Sequence, residues 1–343
     1  MNKILSLMKK IIKKIFGIMG VEISRKAPQK PVSPASAPGS CKVWTLPVNE
    51  AFMRTNFFND DKLSVMDKKR MIQARFYNEM GYYANIDAPQ TLNEKVQWLK
   101  LYYDDPLMTI GCDKYKVKEY IAKTIGEEYV VKLLGAYDDA DEIDFDKLPE
   151  KFALKVNDNT GYNIVVNNKA KLNIPVTRCR LNNWVHPWKN CYYASFYLAY
   201  KNVVPKIIAE EYLDIPNNSK EYKIFCFNGK ADFALIELDY FGKNPKRAFY
   251  DRNFVETEFK IGKMPKASLS EKPANFDKMI ELADKLCKPF PFVRVDFYDI
   301  AGKIYFGELT FYSGGGFSYI YPREWDKKLG DKLTLPEKSL KSL

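Results

Sequence analysis

Histidine is nearly absent: the 343 residues hold one, His186. A histidine-based triad or a metal centre of several imidazoles is thereby close to excluded. Any metal held here should be a hard cation with oxygen ligands. Cysteine is sparse and scattered, at positions 41, 112, 179, 191, 226 and 287, with no C-x-x-C pair. This argues against a disulfide framework or zinc knuckle and fits a reducing compartment. No uninterrupted apolar run of about 20 residues occurs, so no segment reads as a transmembrane span. The start of the chain also lacks the unbroken apolar stretch of a secretory signal. Internal repeats and RNA- or DNA-binding motifs are missing and the lysines are spread along the chain, so nucleic acid is not an expected partner.

What is present is the composition of a globular protein, 46% hydrophobic and 15% aromatic. The length suggests more than one subdomain. Tyr and Phe suit large cores and ring-lined clefts. A net charge of +11 points to an anionic partner such as a nucleotide, an acidic glycan or a lipid surface.

The chain opens with MNKILSLMKKIIKKIFGIMG. On a helical wheel of about 100° per residue, Ile4, Leu5, Leu7, Met8, Ile11, Ile12, Ile15, Phe16, Ile18 and Met19 take one half of the circle. Lys3, Lys9, Lys10, Lys13 and Lys14 take the other. The split predicts an amphipathic helix within 1–22, lying through residues 1–19 on an anionic membrane surface. The plain alternative is a terminal helix docked on its own protein or on a partner. Residues 23–45, with RKAPQKPVSPASAPGS at 25–40, read as a Pro/Ala/Ser-rich linker. An N-terminal α+β region is expected over 46–150, the site-bearing region over 151–336 and a tail over 337–343.

Residues 62–80 read as a helix, and Thr91 with Glu94 forms a capping box opening another. A further helix is expected over 113–125 with Asp113 at its cap, and one over 276–288. KLLGAYDD reads as strand and turn. KFALKV (151–156), NIVVN (163–167), KIIAEEYL (206–213), YKIFCFNGK (222–230) and ADFALIEL (231–238) read as strands, with Asn228-Gly229 marking a hairpin. The fold class is α+β, with antiparallel hairpins and flanking helices.

The segment RVDFYDIAGKIYFGELTFYSGGG (294–316) reads as a second hairpin with charges inside its strands. A three-residue loop, Ala301-Gly302-Lys303, would set Asp296 across from Glu308, with Arg294 and Thr310 on the same face. Two facing carboxylates repel unless a cation sits between them, and Mg²⁺ with substrate phosphates suits that place. The plain alternative is a solvated face with Arg294 bridging the acids. The glycines of 313–318 let backbone amides approach an anion, or form an ordinary loop. Lys155 before the loop Asn157–Asn163 suits a phosphate clamp, or is a snorkelling edge lysine. Glu210, Glu211, Glu221 and Lys223 sit at the ends of apolar strands and mean little alone.

Seven blocks in order carry a resemblance: LNEKVQWLKLYYDDPL, CDKYKVKEYI, DFDKLPEKFALKVN, IIAEEYL, EYKIFCFNGK, FPFVRVDFY and KIYFGELTFYSGGGF. Together, over roughly 80–335, the chain resembles the TupA-like (teichuronopeptide-biosynthesis) ATP-grasp family. The resemblance implies an ATP-grasp fold, two α+β subdomains clamping ATP and Mg²⁺. By position, Lys114 and Lys155 look like phosphate-contacting lysines. Glu210, Glu211, Tyr212 and Leu213 look like the adenine hinge, and Glu221 like the ribose carboxylate. Arg294 looks like the residue facing the transferred phosphate, with Lys223 as a further candidate catalytic cation. Asp296, Glu308 and Thr310 look like the metal ligands, and Ser313, Gly314 and Gly315 like substrate-binding residues. Two positions depart from the pattern. Thr310 stands where many ATP-grasp enzymes have asparagine, a better metal ligand. Asp158 stands in Asn157-Asp158-Asn159-Thr160-Gly161 where histidine is expected, and as an anion would repel phosphate.

The implied reaction is carboxylate activation: ATP phosphorylates a carboxylate and an amine or other nucleophile displaces the phosphate. The implied setting is surface polysaccharide, capsule or teichuronopeptide assembly at the inner face of the membrane, with a polysaccharide or lipid-linked glycan as acceptor. Competing readings are a glycosyltransferase of the same pathway, its acids sought in DDADEID (138–144), and a non-catalytic nucleotide-binding scaffold.

Overall fold

A computed structural model describes residues 50–216, 219–239 and 243–339. The expected membrane-surface helix and linker lie outside the described residues, which form one compact unit. The chain begins with α1 (Glu50–Asn59) and α2 (Val65–Met80). Ser64 and Asp67 exchange the two hydrogen bonds of a capping box at the start of α2, and Gly81 closes it at φ +83°. This trims the expected helix of 62–80 by one turn. α3 (Leu92–Tyr102) begins at the Thr91–Glu94 box, as its sequence predicts. The Glu94 carboxylate also accepts from the Asn85 and Gln90 amides, so it fixes the loop entering the helix.

The helix expected over 113–125 starts four residues later, as α5 (Val117–Thr124), and is preceded by a short helix that the sequence did not announce, α4 (Pro106–Cys112). Asp113 sits between them. Its Oδ1 accepts from the Tyr115 and Lys116 amides and from Asn157 Nδ2, so it caps the turn rather than the second helix.

Two antiparallel sheets carry the rest. β1 (Leu133–Tyr137), β2 (Phe152–Val156), β3 (Asn163–Val166) and β4 (Ile207–Glu211) form a four-stranded sheet in the order β1-β4-β2-β3. Within the span between β3 and β4 lie α6 (Ile174–Trp184) and α7 (Cys191–Ser195). β5 (Lys220–Phe227), β6 (Lys230–Leu238), β7 (Lys246–Asp251), β9 (Phe292–Ile300) and β10 (Lys303–Thr310) form a five-stranded sheet in the order β10-β9-β5-β6-β7. β8 (Lys260–Ile261) pairs with β11 (Ile320–Tyr321), and α8 (Phe276–Cys287) and α9 (Glu324–Lys332) complete the chain.

Each sheet has its own core. The larger one joins Phe225, Phe233, Phe292 and Val295 of the five-stranded sheet to Phe276, Met279, Ala283 and Leu286 of α8 and to Phe76, Val96 and Leu99 of α2 and α3. The smaller joins Phe152, Leu154, Val156 and Ile207 to Leu181 and Trp184 of α6. Asn228 and Gly229 take φ +49° and +76°, the left-handed pair a two-residue hairpin requires. Among the described residues no helix is long and apolar enough to cross a membrane.

Candidate active site

The β9–β10 hairpin reaches its expected register by an unexpected route. The turn has two residues, Ala301 at φ +52° and Gly302 at φ +83°, with Lys303 opposite Ile300. In an unbroken ladder Asp296 would then face Gly307. A bulge between Phe306 and Glu308 restores the missing residue, and Glu308 stands opposite Asp296 with Thr310 opposite Arg294. A Cβ on Gly307 would come within 3.1 Å of the Asp296 carbonyl and the Tyr298 ring, so the bulge needs a very small residue.

Arg294 links the charges on this face. Its Nε and Nη2 donate to the two oxygens of Asp296 at 2.6 Å each, Nη2 also reaches Glu308 Oε1 at 2.9 Å, and Nη1 reaches Ser313 Oγ at 3.2 Å. Thr310 Oγ1 donates to Glu308 Oε1 at 2.7 Å. Asp296 is 1% exposed whereas Glu308 is 43% exposed, so one acid is interior and the other faces solvent. Burial works to raise the Asp296 pKa, but Arg294 and then Lys223 hold it below the usual carboxylate range. Lys223 lies on the next strand, 2.7 Å from Glu221 and 3.4 Å from both Asp296 and Glu237. Burial, Asp296 and Glu237 push the Glu221 carboxyl up against the pull of Lys223. Glu237, which the sequence did not single out, is itself held by Arg247 at 2.6 Å.

The second cluster is on the four-stranded sheet. Glu210, 6% exposed, lies 2.5 Å from Lys118 Nζ and 2.6 Å from Lys155 Nζ. Burial alone would raise its pKa; Lys155 and Lys118 together bring it down to about 2. Lys155 and Glu210 are thus brought together. Lys118 was missed by sequence reasoning; its signal was its place four residues after Lys114 in DKYKVK. Glu211 is exposed, Tyr212 lies 5.4 Å below the Lys151 ammonium, and Leu213 follows the strand end.

The loop after Lys155 is interior. Asn157, Asp158 and Asn159 are all nearly fully buried. Asn157 bonds Asp113, the Val204 carbonyl and the Lys206 amide, while Asn159 Nδ2 donates to the Lys189 carbonyl. Lys114 Nζ donates to the Asn159 carbonyl and so joins this loop rather than Lys155. The Asp158 carboxyl has one oxygen, Oδ2, buried without a hydrogen-bond partner. Burial pushes its pKa up to about 7 despite Lys114. Burial favours the uncharged form of Asp158 and so weakens the repulsion of phosphate expected of it.

Two elements join these clusters. Gly111 of α4 packs against Phe311 and Leu309, where a Cβ would approach the Phe311 ring to 2.9 Å. This sets Lys114 near the end of β10. The turn Ser313–Gly316 follows β10 with Gly314, Gly315 and Gly316 at φ +56°, +65° and +67°. Its carbonyls are held from behind by α3. Gln97 Nε2 donates to Gly315 and Gly316, and Lys100 Nζ donates to Gly315 at 2.5 Å. Lys100 is 1% exposed, and burial pushes its pKa well down.

The donor set between β9 and β10 is two carboxylates and a hydroxyl, oxygen only, which suits Mg²⁺. The Arg294 guanidinium supplies positive charge between the two carboxylates, as a cation would. Among the described residues no group of three or more His, Cys, Asp or Glu side chains could hold a metal ion, so a metal here would need substrate oxygens as well.

A family model for TupA-like ATP-grasp proteins matches residues 94–334. No curated protein matches the chain. Among solved structures, the chain is similar to a D-alanine–D-alanine ligase from Bacillus anthracis complexed with ATP, at 16% identity and TM-score 0.36, covering 59% of this chain and 55% of that one. It is similar to an L-amino acid ligase from Bacillus licheniformis at 13% identity and TM-score 0.42, covering 76% and 57%. It is also similar to the ATP-grasp ligase PsnB complexed with minimal precursor, Mg and ADP, at 10% identity and TM-score 0.35, covering 66% and 59%. The chain thus spans little more than half the length of these structures.

Proposed function

The chain belongs to the TupA-like ATP-grasp family, and from that premise we propose that it is an ATP- and Mg²⁺-dependent ligase. It would join a carboxylate to an amine or related nucleophile in surface polysaccharide, capsule or teichuronopeptide assembly. The observation that carries this reading is the Arg294 guanidinium between Asp296 and Glu308 on facing strands, with Ser313 at its other edge.

In the first step a carboxylate oxygen of the substrate attacks the γ-phosphorus, the bond to ADP breaks and an acyl phosphate forms. In the second the nucleophile attacks the acyl carbon, phosphate leaves, and the nucleophile's proton is lost. Arg294 stabilises charge on the transferred group and orients it. Lys155 on the other sheet and Lys114 beside the loop that follows it supply cations. Glu221 takes the ribose hydroxyls, and the strand end at Glu211, Tyr212 and Leu213 takes the adenine. Asp296, Glu308 and Thr310 would hold Mg²⁺, which when bound neutralises phosphate charge. Residues 1–19 would keep the enzyme at the inner membrane face, where lipid-linked acceptors are built.

Calorimetric titration of the full chain with a non-hydrolysable ATP analogue, with and without Mg²⁺, tests this. Mg²⁺-dependent binding that disappears in the Asp296→Asn, Glu308→Gln double variant is expected. Binding of a sugar nucleotide in place of ATP would overturn the reading in favour of a glycosyltransferase, which neither the family nor the hairpin supports. Release of ADP with a carboxylate and amine present would exclude a non-catalytic scaffold.

A further inference from the structure

α3 turns two polar side chains into the interior, and both end on the glycine turn. Gln97 and Lys100 are three residues apart on this helix and so share a face. They are 0% and 1% exposed. Gln97 Nε2 donates to the Gly315 and Gly316 carbonyls at 3.0 and 2.7 Å. Lys100 Nζ donates to the Gly315 carbonyl at 2.5 Å and to Gln97 Oε1 at 2.7 Å. The Phe317 and Tyr197 ring centroids lie 4.5 and 4.9 Å from Nζ. Among the described residues Lys100 has no carboxylate partner.

Folding alone does not explain a lysine at this place. An amine taken out of water without an acid is costly, and burial pushes the Lys100 pKa well down. The two bonds need only two N–H donors, so they hold with or without the third proton. A methionine would fill the same space without that cost. What the amine adds is direction. A planar peptide whose carbonyl is drawn to α3 turns its N–H the other way, so the Gly316 amide faces away from the helix. The turn has no slack: a Cβ on Gly315 would lie 2.6 Å from the Tyr197 hydroxyl, and one on Gly316 2.9 Å from Val96. Tyr312, just before the turn, stacks on Tyr197 at 5.0 Å, and its hydroxyl accepts from the Ala199 amide at 3.0 Å. Ser313 Oγ accepts from Arg294 Nη1 at 3.2 Å. Lys100 thus touches the turn and the ring that holds its beginning, and the turn touches Arg294.

We propose that Lys100 is a positioning residue for the transferred phosphate, acting through the Ser313–Gly316 turn to fix Ser313 and Arg294 where the terminal phosphate of ATP meets them. The proposal rests on the ligase reading and adds to it a residue that lies behind the site rather than in it. Removing the amine leaves Gln97 Oε1 without its donor and the Gly315 carbonyl with one side-chain donor in place of two. The turn is then held less firmly, while the strands that carry Asp296, Glu221 and Lys155 keep their own contacts.

The test is calorimetric titration of the full chain with Mg²⁺–ADP and with the Mg²⁺ complex of a non-hydrolysable ATP analogue, repeated with Lys100→Met and with Gln97→Leu. The difference between the two ligands isolates the terminal phosphate. The unaltered protein should bind the analogue more tightly than ADP. Lys100→Met should bind ADP unchanged and the analogue about tenfold more weakly. Gln97→Leu should shift the same way by a smaller factor, and it decides the matter alone if the lysine variant does not fold. A merely structural lysine would weaken both ligands alike or neither, and that result would overturn the proposal. So would an unaltered protein that binds the analogue no more tightly than ADP, since no terminal-phosphate contact would then exist to be positioned. Both outcomes leave the nucleotide site standing. Binding of neither nucleotide to the unaltered protein strikes the ligase reading itself, and this proposal falls with it.

Discussion

The two charged clusters solve the same problem differently. On the five-stranded sheet, a buried carboxylate is neutralised by a cation two residues away on its own strand, Arg294 on Asp296. On the four-stranded sheet, the buried carboxylate Glu210 is neutralised by two lysines, one from a neighbouring strand and one from a helix, 92 positions from Glu210 at the farther. The first arrangement is local and visible in the sequence; the second exists only once the sheet and α5 have come together. The hairpin should therefore lean mainly on Arg294, with Lys223 only at 3.4 Å, while Glu210 has two close cations.

The largest effect should follow from Arg294→Met. It leaves Asp296 interior with only Lys223 at 3.4 Å, and a loss of about 3–5 kcal/mol is expected in urea denaturation at neutral pH. Adding Asp296→Asn should recover part of it. A loss below about 1 kcal/mol would show that the pair is no more than a surface-type bridge and would erase the contrast.

Lys118→Met should cost less, about 1–3 kcal/mol, because Lys155 remains. Here pH sharpens the comparison. The folded Glu210 carboxyl titrates at about 2, below its ordinary 4.5, so the folded state binds fewer protons in that window. Its contribution is present above about 4.5 and is lost as pH falls toward 2. The variant should flatten the stability profile between those values; an unchanged acid limb would disprove the two-lysine account.

Asp158→Asn should act with the opposite sign. The Asp158 carboxyl is raised from 3.8 to about 7, so the unfolded chain ionises first and stability falls as pH rises through that range. The substitution should add on the order of 1–2 kcal/mol at pH 8 and nothing near pH 4. A gain that does not vary with pH would mean that packing, not ionisation, is what changed.

The smallest effect is expected from Gly302→Ala. A Cβ there meets open space, and only the strain of φ +83° remains. About 1 kcal/mol of destabilisation is expected in the same denaturation assay. A much larger loss would mean that the hairpin register itself had slipped.

Legibility follows sequence separation. The α3 capping box, the Asn228-Gly229 turn and the pairing of Asp296 with Glu308 were readable because each depends on residues near in sequence. Even there the route differed, since a two-residue turn and a bulge at Gly307 together replaced the expected three-residue loop. The late start of α5 was not readable, because Asp113 is held by Asn157 from another element and caps the turn before the helix. Nor were Lys118, Gln97 and Lys100. Lysines and glutamines look alike in a helix until it is known which of them face a strand or a glycine turn.

The sequence by itself determined the family, the α+β class, the strands of both sheets other than β7, and the charged face of the β9–β10 hairpin. These rest on local alternation, capping and turn chemistry, which act over a few residues. Only the tertiary structure decided that residues 157–159 are interior, that Asp158 is held towards its uncharged form, and that Glu210 has two cations. It also decided that a buried lysine stands behind the glycine turn. Each of these depends on which distant groups displace water from a polar atom, and desolvation is a property of the assembled neighbourhood rather than of the residue.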